Sequence, residues 1–224
     1  IDEVNMETHG TWSEMFDSAH IVPDNKPEWQ KAIIDRASSM YERDKNHPCI
    51  LIWSCGNESH GGKDIYEMSQ FLRKKDPSRL IHYEGISHDQ RYPDTSDMVS
   101  QMYTPASEVE EYLKTHTDKP FFLCEYAHSM GNSNGALYKY TNLEKKYPLY
   151  QGGCIWDYAD QALFKDGRLY YGGDFGERPS DYDFCGNGIV FADRTLTPKM
   201  EEVRYCYQQI HTTFDKHTMH IEND

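Results

Sequence analysis

Two glutamates stand where apolar, strand-like segments end. Glu125 follows the apolar run 120–124, and Glu58 follows the run 49–53 and a short polar stretch. Both should therefore lie at the carboxyl-end rim of a parallel sheet, where catalytic side chains are commonly presented. Cleavage of a glycosidic bond needs one carboxyl group that protonates the leaving oxygen and another that attacks or stabilises the anomeric carbon. The pair of glutamates therefore predicts glycoside hydrolysis. The alternative is that each glutamate only caps a neighbouring helix, which would explain one such glutamate but is a weaker explanation for two.

Aromatic and amide side chains accompany the two glutamates. Tyr103 ends its own predicted strand and could donate a hydrogen bond to a nearby carboxylate, although a partly buried core tyrosine fits the sequence equally well. Asn57 and His128 are suited to binding sugar hydroxyls. Trp156 closes the last predicted strand and would set an indole at the floor of a pocket.

The segment Glu7-Thr8-His9 is a third polar cluster at a predicted strand end. Side chains alternate along a strand, so Glu7 and His9 point the same way. Together with Glu58 they could hold a hard cation, and one imidazole among oxygen ligands suits magnesium or manganese better than structural zinc. A satisfied polar pair is the alternative interpretation of this short pattern.

Six short apolar segments separated by helical patterns would position these residues. The strands are predicted at 1–8, 49–53, 80–84, 98–103, 120–124 and 152–156. Helices are predicted at 27–46, 63–75, 107–116 and 135–147, and a last helix is expected to start at 197 and to include Ile210. The stretch from 157 to 194 is expected to be irregular. Alternating strands and helices are typical of an α/β protein with a buried parallel sheet. We expect an incomplete (β/α)₈ TIM barrel over residues 1–210, about strands 3–8 with the first two missing, and the start of a following β-domain or a linker at 211–224. An open flavodoxin-like sheet is the alternative, but no glycine-rich phosphate loop follows any strand.

The composition narrows the range of partners. The 224 residues carry a formal net charge of −14, which argues against nucleic acid and anionic membranes as partners. No apolar run approaches the roughly 20 residues that cross a bilayer. Because the chain begins at Ile1, already in an extended pattern, we expect it to be a piece of a longer protein. As a separate expectation, the location of that protein is predicted to be cytoplasmic.

Several motifs together resemble glycoside hydrolase family 2, its β-galactosidases in particular. They extend along the chain except for the tail: Asn5-Met6-Glu7-Thr8-His9-Gly10, Asn46-His47-Pro48, 53–59, Asp76-Pro77-Ser78-Arg79, 124–133, Gln151-Gly152-Gly153 with Trp156-Asp157, 171–176, and Asn187-Gly188 through Asp193-Arg194.

The resemblance implies a retaining β-galactosidase that acts on lactose-like β-galactosides, with the two carboxyl groups about 5 Å apart. It implies that Glu58 is the general acid/base, that Glu125 is the nucleophile, and that Tyr103 assists Glu125. The substrate would be bound by Asn57, His128, Trp156 and Asn187. A magnesium (or manganese) ion would be held by Glu7, His9 and Glu58, and a sodium ion by the Phe184 carbonyl and the Asn187 side chain. The partners would be the remaining domains of the parent chain and further copies in a homo-oligomer.

Two other functions stay open at this point. A relative acting on another β-glycoside, a glucuronide or a mannoside, is one; a glucuronide would call for cations near the pocket, and the rim loops here are acidic. The other is a fragment without activity that binds sugar, because the upstream strands and domains would supply further pocket residues.

Overall fold

The computed structural model describes residues 1–8 and 22–223. Six strands alternate with helices along most of the chain, followed by two hairpins and a short helix. The strands are β1 (Asp2–Glu3), β2 (Ile52–Ser54), β3 (Leu80–His82), β4 (Val99–Met102), β5 (Phe121–Tyr126), β6 (Tyr150–Ile155), β7 (Leu163–Lys165), β8 (Arg168–Tyr170), β9 (Ile210–Phe214) and β10 (Met219–Asn223). The helices are α1 (Pro27–Asp44), α2 (Lys63–Lys75), α3 (Ala106–Thr115), α4 (Tyr138–Lys146) and α5 (Lys199–Cys206).

The chain divides into two compact units. Unit 1 comprises Ile1–Met102, Glu111–Cys124 and Leu149–Gln151, and unit 2 comprises Tyr103–Glu110, Glu125–Pro148 and the remainder from Gly152. In unit 1, β1, β2 and β3 form a sheet in that order, and both strand pairs are parallel. Strands β4, β5 and β6 form a second three-stranded sheet. The parallel arrangement predicted for the first three strands is therefore confirmed.

Helices α1 and α2 cover unit 1 because each carries an apolar stripe at helical spacing. Ile33, Ala37 and Met40 of α1 are buried, as are Ile65, Met68 and Leu72 of α2, in one cluster with Trp53 and Ile81. Pro27 lies in the first turn of α1, where its missing N–H costs no hydrogen bond. Basic residues fill the last turn of α2, where they favour the negative end of the helix dipole.

Unit 2 contains α4, α5 and the two hairpins. Its buried apolar residues include Tyr126, Leu137, Leu143, Val190 and Val203. The antiparallel pair β7–β8 lies in the glycine-rich stretch between 157 and 194. The second hairpin, β9–β10, exposes Ile210, Phe214, Met219 and Ile221. Within the described ranges, no helix has the length and hydropathy needed to cross a membrane.

The six strands form two three-stranded sheets, and the described residues show no closed barrel. Three expectations from the sequence need correction. The third strand ends at His82, two residues before the expected end, and Glu84 instead begins a 3₁₀ turn (Glu84–Ser87). The stretch after Asp157, expected to be irregular, contains the β7–β8 hairpin. The last helix ends at Cys206, before the expected Ile210, which instead starts β9.

A row of polar side chains crosses the sheet of unit 1. The Ser54 hydroxyl donates to Glu3 Oε2 at 2.8 Å and lies 2.9 Å from His82 Nδ1. On the far side, His82 Nε2 lies 2.7 Å from the Ser100 hydroxyl. His82, Ser54 and Ser100 are all buried. Register explains the row, because Glu3, Ser54 and His82 pair directly across neighbouring strands and so share one face.

This burial should make the stability of the chain sensitive to mild acid. Burial lowers the pKa of His82 to about 4 from an ordinary 6.5, so between these values the unfolded chain binds a proton that the folded chain excludes. The contribution is complete above pH 6.5 and is lost as the pH falls towards 4. Linkage gives a loss of about 3 kcal/mol in the free energy of unfolding. Thermal unfolding at the two ends of this window should therefore show a clear fall in Tm.

His82→Gln provides the comparison, because an amide can bond both serines and does not titrate in this range. The variant should lose much less Tm across the window than the parent chain. His47→Gln, at a side chain that is 62% exposed, is the matched control and should behave as the parent does. An equal fall in the parent and in His82→Gln would contradict the prediction.

Candidate active site

The end of β5 presents Glu125 beside a tyrosine from the end of β4. Tyr103 directly follows β4 and has a φ of +56°, a left-handed conformation that is uncommon outside glycine. Its backbone N–H donates to the Glu125 carbonyl at 2.9 Å, and its hydroxyl donates to Glu125 Oε2 at 2.5 Å. The carboxylate is thus oriented by a short, charge-assisted hydrogen bond.

His128 lies next to this pair in unit 2. Its ring centroid is 5.8 Å from that of Tyr103 and 5.6 Å from that of Phe184. The Lys199 ammonium donates to the Ser129 carbonyl, on the residue after His128. Burial, with a smaller contribution from the Lys199 charge, lowers the pKa of His128, which favours a neutral imidazole. A neutral ring can both donate and accept hydrogen bonds, as recognition of a hydroxyl requires.

Trp156 and Asn187 meet at the end of β6. The Trp156 backbone N–H donates to the Tyr126 carbonyl at 3.1 Å, and the Trp156 carbonyl accepts from Ser129 N at 2.7 Å. Asn187 is buried, and both polar atoms of its amide are satisfied when Oδ1 accepts from Trp156 Nε1 and Nδ2 donates to the Cys185 carbonyl, each at 3.3 Å. The indole and the amide therefore hold each other in place.

A cavity of about 600 Å³ opens over these two residues within unit 2. Trp156, Phe184 and Asn187 line one part of it, and β8 and the segment after it supply Tyr170, Tyr171 and Tyr182. Aromatic faces beside amide groups suit a sugar ring, which presents apolar C–H faces and polar hydroxyls.

Glu58 is held in unit 1 at the end of the segment after β2. The Asn57 N–H donates to the Met6 carbonyl at 2.8 Å, and Asn57 forms a parallel bridge with Glu7. Gly56 has a φ of +123°, and a Cβ there would lie 2.5 Å from the Met6 carbonyl oxygen, so only glycine allows this approach. Glu58 is therefore carried on a backbone that packs tightly against the segment after β1.

The expected magnesium ligands are described only in part. Glu7 and Glu58 lie on the two segments joined by the bridge at Asn57, whereas His9 lies outside the described residues. Among the described residues, no three His, Cys, Asp or Glu side chains form a group that could hold a metal ion.

The structure thus gathers the predicted residues in two sets. Unit 2 brings together Tyr103, Glu125, His128, Trp156, Phe184 and Asn187; unit 1 brings together Glu7, Asn57 and Glu58. Sequence reasoning missed two neighbours. Glu84 is buried and accepts the Glu58 backbone N–H, and it could have been noticed as a third glutamate at the end of a predicted strand. Lys199 had no local signal, because its contact with Ser129 spans 70 positions.

Residues 1–212 match the sequence model of glycosyl hydrolases family 2, TIM barrel domain. The chain belongs to glycosyl hydrolase family 2. A β-galactosidase of Clostridium acetobutylicum is 55% identical over 230 residues, covering 100% of this chain and 26% of that protein. One of Halalkalibacterium halodurans is 52% identical over 231 residues, covering 100% of this chain and 23% of that protein. The family 2 chain therefore spans about a quarter of the length of these curated relatives.

A solved structure supports the fold of the family 2 chain. A GH2 β-galacturonidase from Eisenbergiella tayi, bound to glycerol, aligns with a TM-score of 0.58 over 86% of this chain and 39% of that chain. At 19% sequence identity this likeness shows the fold alone. Together with the family match, it identifies the strands and helices as belonging to a TIM-barrel fold.

Proposed function

We propose that this family 2 chain is the catalytic part of a retaining β-galactosidase that hydrolyses terminal β-D-galactosides such as lactose. The observation that carries the proposal is the contact between Tyr103 and Glu125 at the end of β5. It occurs in a chain 55% identical over its whole length to a β-galactosidase. A carboxylate oriented in this way is what a glycosyl nucleophile requires. The aromatic and amide-lined cavity of the same unit suits a sugar ring.

In the first step, a Glu125 carboxylate oxygen attacks the anomeric carbon of the galactoside. The bond from that carbon to the aglycone oxygen breaks, and the departing oxygen takes the proton of the Glu58 carboxyl group. Tyr103 donates its hydrogen bond to Oε2, which holds the carboxylate plane while Glu125 forms the galactosyl ester. His128 and Asn57 would bind sugar hydroxyls, with Trp156 and Asn187 against the sugar ring.

In the second step, water attacks the anomeric carbon and gives a proton to the Glu58 carboxylate. The bond to Glu125 breaks, which releases galactose and regenerates both carboxyl groups in their starting protonation states. Two inversions at one carbon give net retention.

Tyr103→Phe should show how much the Tyr103 hydroxyl, as distinct from its aromatic ring, contributes to kcat. The variant keeps the ring contact with His128 but removes the donor to Glu125. Because a hydrogen bond to a charged group contributes about 1.5–3 kcal/mol, we expect kcat to fall by roughly 10- to 100-fold. Steady-state kinetics on nitrophenyl β-galactoside measure this. Tyr138→Phe, at a 48% exposed side chain on α4, is the control, and an unchanged kcat in Tyr103→Phe would refute the assignment.

Substrate class is tested by comparing nitrophenyl β-galactoside, β-glucuronide and β-mannoside. The chain should be assayed as it stands and also in a chimera, where it replaces the aligned segment of the 55% identical Clostridium acetobutylicum β-galactosidase. Hydrolysis of the galactoside by the chimera, with retention seen by NMR of the first-formed sugar, supports the proposal. Preference for a uronide or a mannoside overturns the substrate, and a folded but inactive chimera overturns the activity. Sugar binding without turnover by the isolated chain would identify it as an incomplete catalytic unit.

A magnesium ion (manganese being the alternative) is proposed at Glu7, His9 and Glu58. The parallel bridge between Glu7 and Asn57 supports the proposal, because it brings the two carboxylate-bearing segments side by side. Hard oxygen donors with one imidazole fit this ion. When bound, it would supply positive charge beside the Glu58 carboxyl group. Calorimetric titration of the chelator-treated chimera with MgCl₂ should show one site that Glu7→Gln weakens, and unaltered binding would reject these ligands.

A sodium ion is proposed at the Phe184 carbonyl and the Asn187 side chain. Asn187 supports it, because Oδ1 keeps a second lone pair after accepting from Trp156. If the site exists, replacing NaCl with choline chloride at constant ionic strength should raise the KM of the chimera for galactosides. Asn187→Leu should lose that dependence.

We also propose that the six strands are about strands 3–8 of an eight-stranded barrel. The two three-stranded sheets and the TIM-barrel family support this count. Residues 211–224 would start a following β-domain, since the family match ends at 212 within the β9–β10 hairpin. The remaining domains of the parent protein and further copies in a homo-oligomer are the proposed partners, which light scattering of the longer protein would test.

A further inference from the structure

Glu84 is a buried carboxylate beside the proposed acid/base. It is 2% exposed and begins the 3₁₀ turn that follows β3. Its Oε1 accepts the backbone N–H of Glu58 at 2.7 Å. A carboxylate is expensive to bury without hydrogen-bond donors, so this contact is part of what permits its position.

The turn that carries Glu84 packs closely against the Glu58 segment. The Ser87 hydroxyl donates to the Glu84 carbonyl at 2.9 Å and closes the turn. A Cβ on Gly85 would lie 1.8 Å from the His60 carbonyl oxygen, so the backbones of the two segments touch. Close backbone packing therefore places the Glu84 turn next to the Glu58 segment.

The backbone of Glu58 needs such support. Its φ of +46° lies in the left-handed region, which a residue with a Cβ occupies only when its surroundings impose it. Asn57, held by the Met6 carbonyl, anchors the segment from one side. Glu84 holds the backbone amide of Glu58 itself. The orientation of this backbone sets the direction in which the Glu58 side chain points.

We propose that Glu84 is a positioning residue that aims the Glu58 carboxyl group by holding its backbone amide. The inference rests on the proposed function, in which Glu58 protonates the leaving oxygen. Loss of the contact should therefore impair proton delivery to the aglycone and leave sugar binding largely intact. A poor leaving group needs that proton, whereas a dinitrophenolate leaves without it.

The test compares Glu84→Met with Glu84→Gln in the Clostridium acetobutylicum chimera. Methionine keeps the length of the side chain but cannot accept the amide hydrogen bond, whereas glutamine keeps the acceptor oxygen. For Glu84→Met we expect kcat/KM to fall about 30-fold or more on phenyl β-galactoside but only a few-fold on dinitrophenyl β-galactoside. Glu84→Gln should stay within about threefold of the parent on both substrates.

Each result has a defined meaning. A fall of equal size on both substrates, or no fall in Glu84→Met, overturns the positioning role while the parent's activity upholds the proposed function. If the parent chimera hydrolyses neither substrate, the proposed function fails and the inference fails with it.

A second measurement uses no variant and so does not depend on the folding of Glu84→Met. Hydrogen exchange of the unmodified chain should show a protected Glu58 amide, as protected as that of Cys55, which donates to the His82 carbonyl at 2.9 Å. Exchange of the Glu58 amide at the rate of an open loop would refute the contact and with it the inference.

Discussion

Glu125→Gln should abolish turnover of β-galactosides. The amide keeps an oxygen that can accept the Tyr103 hydrogen bond, so the local structure should survive. It cannot form the galactosyl ester, because a neutral amide oxygen is a poor nucleophile and a poor leaving group. We expect kcat to fall by about 10⁴-fold or more, as losses of other covalent nucleophiles do. The chimera with nitrophenyl β-galactoside is the assay.

Glu111→Gln is the matched control for this substitution. Glu111 lies on α3 with a side chain 73% exposed and pairs with Lys114 at 2.8 Å, so its loss should leave kcat unchanged. Residual activity in Glu125→Gln within tenfold of the parent would remove Glu125 from the mechanism.

Azide distinguishes the two glutamates further. With Glu125→Gly, azide should enter the vacated space, attack from the face opposite the aglycone and give α-galactosyl azide. With Glu58→Gly, azide should attack the galactosyl ester from the aglycone side and give β-galactosyl azide. If Glu125→Gly gave the β-azide and Glu58→Gly the α-azide, the assigned roles would be reversed. The stereochemistry of each product shows on which face of the sugar the missing carboxyl group acts.

Asp76→Asn should cause a large loss of stability, although the side chain lies outside the site. Asp76 is buried, and its Oδ2 accepts from Trp53 Nε1 at 3.0 Å and from Arg79 Nη1 at 2.8 Å. The Arg79 guanidinium also lies 5.1 Å from the Trp53 ring centroid. Removing the charge leaves a half-buried guanidinium without its carboxylate, which costs about 3–5 kcal/mol in comparable pairs. Urea unfolding should show the fall as a lower midpoint at constant slope.

The pH dependence gives this prediction a second readout. Burial alone would raise the pKa of Asp76, but hydrogen bonds from Ser78, Trp53 and Arg79 outweigh it and lower the pKa to about 2 from 3.8. The resulting stability is complete above pH 3.8 and is lost as the pH falls towards 2, by linkage about 2 kcal/mol. The Asn variant should show no such loss in this window.

An exposed ion pair provides the control for Asp76. Glu42 pairs with Lys75 at 3.3 Å on the surface, and exposed pairs contribute little. Glu42→Gln should therefore leave the urea midpoint nearly unchanged. A midpoint for Asp76→Asn equal to that of Glu42→Gln would show that the buried cluster does not stabilise the fold.

Much of the fold follows from periodicity and could be predicted. Helix α2 was expected at 63–75 and lies there, because its apolar residues recur at helical spacing and a Gly and an Asp-Pro pair bound it. Strand β5 was expected at 120–124 and spans Phe121–Tyr126, because the Glu125 and Tyr126 carbonyls still accept backbone hydrogen bonds, from Tyr103 and Trp156. The parallel pairing of β1, β2 and β3 was predicted from the helical crossovers between them.

The sequence by itself determined the family, the secondary structure around both glutamates and the residue types available for catalysis, because these depend on local order along the chain. Only the tertiary structure decided which side chains hold them. Tyr103 reaches Glu125 across 22 positions and Glu84 reaches Glu58 across 26, and His82 joins two strands through serine hydroxyls. Such contacts depend on strand register and on turns with positive φ. Neither leaves a periodic pattern in the sequence, because the partners become neighbours only when the strands pair.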